Sequence, residues 1–216
     1  MPRRRGLNGE AFVEKRKQVV LLLIGFSLGA ALMGIEMAAI RIMTPYFGSA
    51  IDIWASMIAT VMLSMMAGYY LGGTIADRAP NSKVLGGFIL VAGVFVLAVP
   101  AFATPLLDWM LQNLGYSPWV ALAASATLLL VPMILLSFFS PFAVRLLLAN
   151  AENSGRVAGS VYSITTIGNV VGTLGAPLFL MRVLGSRDIM LSFAAVVIVC
   201  GFGLIALRMR ALVDAA

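Results

Sequence analysis

The chain has 216 residues, of which 61% are hydrophobic and only 11% charged, against about 25% charged in an ordinary soluble domain. Its mean hydropathy is +1.01, which excludes a water-soluble fold and describes a membrane protein. The net charge of +6 comes from basic residues gathered at the ends of apolar runs, not from a patch interleaved with aromatics, so a nucleic-acid partner is not expected.

A bilayer crossing needs roughly 20 apolar residues, and six runs reach that length: about 19–43, 52–76, 84–104, 119–148, 157–181 and 189–207. The fold class expected is therefore all-α integral membrane, with six transmembrane helices. Residues 1–18 read as a basic N-terminal segment, 19–207 as one six-span membrane domain, and 208–216 as a short tail. Arg3, Arg4, Arg5, Lys15, Arg16 and Lys17 precede the first run. Arg78 and Lys83 follow the second, Arg145 and Arg156 flank the fourth loop, and Arg208 and Arg210 follow the last run. The alternate loops hold only Arg182 and Arg187. The positive-inside rule then predicts a multi-pass protein of the cell (inner or plasma) membrane with both termini cytoplasmic. The N-terminal run is too long for the apolar core of a cleaved signal peptide, so cleavage is not expected.

Polar residues inside the runs carry the functional information, because they are costly in lipid. Glu36 lies about 26 Å along the first span at 1.5 Å per residue, with Arg41 farther out. Five residues apart, they sit about 140° around a helix, so each needs another partner. Intramembrane ionisable groups usually face a protein interior or a watery cavity; an interhelical salt bridge, or Arg41 reaching to the interface, fits as well.

In the second span Ser56, Thr60 and Ser64 recur every four residues. In the fifth, Tyr162, Thr166, Asn169 and Thr173 follow helical spacing. Such stripes either bind helices together or line a cavity. Asn169 is the cavity candidate, since its amide must satisfy two donors and an acceptor. Pro100, Pro105, Pro132, Pro141 and Pro177 mark expected breaks or bends. Cys200 is expected to be a structural apolar residue. With no His, no reactive cysteine setting and no clustered carboxylates, an enzyme is not expected, and no cofactor or metal either.

GYYLGGTIADRAPNSK, residues 68–83, resembles the signature between the second and third helices of major facilitator transporters, through Gly73, Ala76, Asp77, Arg78 and Lys83. Pro80, Asn81 and Ser82 stand where that family prefers glycine and basic residues. Asp77 could meet the positive N-terminal end of the fifth span, and Asp77 with Arg78 are the gating candidates.

A second resemblance covers about 20–207. Glu36, Arg41, Pro45, Tyr46, Phe47 and Gly48, then GYYLGGTIADR, then PMILLSFFSPFAVRLL (132–147), then SGRVAGSVYSITTIGNVVGTLGAPLFLM (154–181) look like the membrane domain of the spermidine synthase-like membrane proteins. That family often fuses the domain to an aminopropyltransferase. The chain runs to Ala216 with no Gly-rich cofactor-binding fold, so here a stand-alone membrane domain is expected. A polyamine or related amine is the substrate class the resemblance implies.

Arg41 and Arg145, Gly68 and Gly172, and Arg78 and Arg182 are each 104 positions apart. That spacing predicts two inverted three-helix units, half of a major facilitator-like fold, completed by a second copy in a symmetric homodimer. The leading functional expectation is a secondary transporter or exporter of a small solute working by alternating access. Glu36, Arg41, Asn169, Tyr162 and Thr166 would bind substrate or protons. The alternative is a non-transporting membrane anchor or partner module for a separately encoded enzyme.

Overall fold

The computed structural model describes residues 3–48, 51–148 and 153–210. Parts of the loops near 44–51 and 149–156, and the tail beyond 210, lie outside the described residues. The elements are α1 (Arg3–Phe47), α2 (Ile51–Arg78), α3 (Ser82–Leu114), α4 (Pro118–Ser137), α5 (Phe139–Leu147), α6 (Ser154–Gly175), a π-helical turn (Ala176–Leu180), α7 (Met181–Val183) and α8 (Ser186–Leu207). They make six helical segments long and apolar enough to cross a bilayer, the fourth being α4 with α5 and the fifth α6 through α7. Among the described residues there is no β-strand, only an isolated bridge between Asn81 and Arg210.

Two boundaries differ from the sequence reading. The basic N-terminal segment is helical from Arg3 and continuous with the first span. The third helix runs through Pro100 and Pro105 to Leu114, ten residues past the expected end. A proline removes one intrahelical hydrogen bond and can bend a membrane helix without ending it. The break comes instead at Gly115, whose φ of 68° suits glycine, and whose N–H bonds to the Leu111 carbonyl. Ser117 then caps α4 by accepting from the Val120 N–H at 3.2 Å, with Pro118 in the first turn. Pro177 falls inside the π-helical turn, where its missing N–H interrupts the α-helical ladder.

Lipid tails are as apolar as leucine, so close van der Waals fit and interhelical hydrogen bonds hold spans together. α1 packs mainly on α6 and α8, α2 on α4, and α3 on α8 and α4. Small residues permit the closest approaches. At Gly172 a side chain would overlap the Ala30 backbone, and at Gly68 it would overlap the Ile134 carbonyl. The α2–α4 seam is further tied by Thr60, whose hydroxyl bonds that of Ser125 at 2.8 Å; both are buried. The Ser56, Thr60 and Ser64 stripe therefore serves packing. After α8 the chain turns back, and Met209 pairs with Ser82 in both directions: the Met209 N–H donates to the Ser82 hydroxyl and the Ser82 N–H to the Met209 carbonyl.

Candidate functional site

Because α1 and α4 lie in the middle of these pairings while α2 and α6 flank them, a cleft opens between α2 and α6. Its floor is α1, through Gly25, Leu28, Gly29 and Leu32, together with Leu136, Ser137, Phe139 and Ser140 at the α4–α5 junction. Its walls are Met65 and Tyr69 on α2 and Thr165 and Asn169 on α6. The enclosed space is about 30 Å³, room for a water molecule or two. A hollow of about 540 Å³ lies at the end of α1 beside Arg41, Trp54 and Met181, but it opens on the rim of the bundle.

Asn169 lines the cleft. Its Oδ1 would stand 3.0 Å from a Cβ placed on Gly29, so the glycine makes room for the amide. Among the described residues nothing hydrogen-bonds that amide. Tyr162 and Thr166 are exposed instead, Tyr162 by 45%. Thr165, one position from Thr166, takes the cleft place, with its hydroxyl donating back to the carbonyls of Val161 and Tyr162. Tyr69 lies beside Ser140 and Tyr162. Sequence reasoning missed Tyr69, Ser140 and Thr165. A usable signal existed only for Thr165, which lies one helical turn before Asn169.

Glu36 is buried, with 5% of its surface exposed. It follows Gly25, Gly29 and Leu32 along one stripe of α1 at helical spacing, one turn beyond the last cleft residue. Among the described residues no group hydrogen-bonds or ion-pairs with its carboxylate. Arg41 does not pair with it: Nη1 donates to the Met181 main-chain oxygen at 2.9 Å, across to α7. A buried carboxylate without a cation is costly in a dry setting, and such groups mark functional positions in membrane proteins.

Asp77 and Arg78 stand at the far end of α2, away from the cleft. Asp77 does not meet the start of the fifth span; its Oδ1 lies 3.6 Å from Arg145 Nε on α5. Arg78 is exposed. At the opposite end of the bundle Asp52, in the first turn of α2, accepts a hydrogen bond at 3.0 Å from the hydroxyl of Tyr116 in the α3–α4 loop. That bond holds the Tyr116 proton and raises its pKa above the ordinary 10.0. Searches of protein-family models, curated proteins and solved structures find no match to this chain.

Proposed function

We propose that this chain is half of a secondary transporter or exporter, completed by a second copy, which moves a small organic cation by alternating access. The observation that carries the reading is Glu36: a buried, unpartnered carboxylate on the stripe of α1 that floors the cleft. A cationic guest would supply the counter-charge that the protein omits. The cleft adds neutral hydrogen-bonding groups from Tyr69, Ser140, Thr165 and Asn169, suited to orienting an amine without trapping it.

Two copies related by a twofold axis would turn their clefts toward each other and offer two Glu36 carboxylates to one dication, which favours the polyamine class. The exposed Tyr162 and Thr166 on α6 would then approach the partner.

The inverted-unit reading is supported by the packing. Exchange of the first three spans with the last three carries α1 on α6 into α4 on α2, and α1 on α8 into α4 on α3. The contacts follow the same 104-residue offset: Gly172 against Ala30 becomes Gly68 against Ile134, and Arg41 to Met181 becomes Arg145 to Asp77. Asp77, tethered by Arg145, and Arg78 would form the gate at the basic, cytoplasmic end.

Purified protein in proteoliposomes, tested with a panel of radiolabelled amines including spermidine and putrescine, is expected to show saturable flux that Glu36→Gln abolishes while thermal unfolding stays unchanged. Flux that survives Glu36→Gln would overturn the role of this carboxylate. No flux of any amine would overturn the substrate class.

A further inference from the structure

Toward the end of the bundle where α2 ends and α6 begins, below the close approach of α6 to α1 at Gly168 and Phe26, two hollows adjoin at Leu22. The lower one, about 340 Å³, is lined by Gln18 and Leu22 on α1, Leu147 at the end of α5, and Asn153, Arg156, Val157 and Ser160 at the start of α6. The upper one, about 260 Å³, is lined by Val19, Leu22, Leu23, Phe26 and Ile164 and has no polar lining at all. Leu22 belongs to both, so a polar hollow continues into an apolar groove.

We infer that this pair of hollows binds one anionic phospholipid, with its phosphate beside Arg156 and Gln18 and an acyl chain in the groove along Leu22, Phe26 and Ile164. Three features match that ligand and no simpler one. The polar hollow holds a guanidinium, two amides and a hydroxyl and is lined by no acid among the described residues. Lys15, exposed and three residues before Gln18, shares the same side of α1 and adds a second positive charge at the rim. The groove runs from Val19 to Phe26, about 10 Å along a helix, which is about two thirds of one leaflet of a hydrocarbon core roughly 30 Å thick. A free phosphate would leave the groove to other lipid; a zwitterionic lipid would bring its own cation to face Arg156. Basic hollows between membrane helices on the basic side of a protein suit anionic headgroups for the same electrostatic reason.

The test is native mass spectrometry of the full chain released from nanodiscs made of equal parts phosphatidylglycerol and phosphatidylcholine. Retained lipid is expected to favour phosphatidylglycerol. Arg156→Gln is expected to lower that preference about fivefold, the effect of one basic side chain at an anionic surface. Arg210→Gln, which removes an exposed positive charge on the same side but outside the hollow, is expected to leave the preference unchanged. Ile164→Trp fills the groove and is expected to reduce retention of both lipids while the protein stays folded. Equal losses for Arg156→Gln and Arg210→Gln would mean diffuse attraction and overturn the site. Displacement of the lipid by an excess of glycerol phosphate would mean that the headgroup alone is recognised, and would overturn the role of the groove. Retention unaffected by Ile164→Trp would do the same. These readouts are independent of transport, so their failure leaves the reading of Glu36 standing.

Discussion

Arg41 donates to the main-chain oxygen of Met181 at 2.9 Å, and the contact related to it by 104 positions, Arg145 with Asp77 at 3.6 Å, offers a carboxylate in place of a carbonyl. Each arginine closes the end of one span onto another, at opposite ends of the bundle, with acceptors of different charge. Asp77 is 76% exposed, and water screens an ion pair of that kind, so its coupling energy is about 0–1 kcal/mol. A double-mutant cycle of Asp77→Asn and Arg145→Gln, read by thermal unfolding in detergent, is expected to return a coupling in that range that shrinks with added salt. A coupling of about 3 kcal/mol would show that the pair is desolvated in the membrane-bound protein.

Thr60 and Ser125 form a hydroxyl pair inside the bundle, and Ser125 also reaches the carbonyls of Ser56 and Leu122. Hydrogen bonds between membrane helices average about 0.6 kcal/mol and reach about 1.7. Thr60→Val keeps the shape and leaves Ser125 its carbonyl partners, so a loss of about 0.5–1 kcal/mol is expected. Ser125→Val removes all of these bonds at once. A smaller effect for Ser125→Val than for Thr60→Val, in the same unfolding assay, would contradict this arrangement.

Gly172 leaves no space for a side chain above Ala30, and Gly68 none above Ile134. Gly172→Val and Gly68→Val are each expected to destabilise by about 1–3 kcal/mol, the cost of forcing a tightly packed contact apart. Gly159, which meets nothing within 4 Å, is the control: Gly159→Ala should be neutral or slightly stabilising, because alanine favours helix. Equal losses at Gly172 and Gly159 would argue against the close seam.

The Tyr116 hydroxyl donates to Asp52, and this bond comes first among the causes that raise its pKa above 10.0. The protonated phenol is the form that the fold favours. Its contribution to stability is therefore complete below pH 10 and is lost as pH rises through the higher folded value. A difference titration of phenolate absorbance between the parent chain and Tyr116→Phe should place this midpoint above 10. Asp52→Asn should bring it back toward 10, and an unchanged midpoint would remove Asp52 as the cause.

The six apolar helices were legible in the sequence, and Asn169 was singled out there among the residues that line the cleft. The rest of the cleft was not. Adjacent residues on a helix point about 100° apart, so choosing Thr166 over Thr165 moves a hydroxyl from the cleft to the outside. Tyr69 carried no periodic signal of its own, since the stripe of its helix is set by Ser56, Thr60 and Ser64, which turn out to serve packing against α4.

What the sequence determined alone was the number of spans, the polarity of their ends and the cost of placing Glu36 among them. These are local properties: a helix satisfies its own backbone in lipid, and a run of apolar residues reports its length without reference to neighbours. The tertiary structure decided which face each helix turns inward. That rotation depends on where glycines let backbones meet, as at Gly172 on Ala30 and Gly68 on Ile134, and on partners distant in the chain, as when Arg41 reached Met181 rather than Glu36. Glu36 is left one helical turn beyond the cleft residue Leu32, and the nearest arginine along its own helix, Arg41, is engaged by Met181.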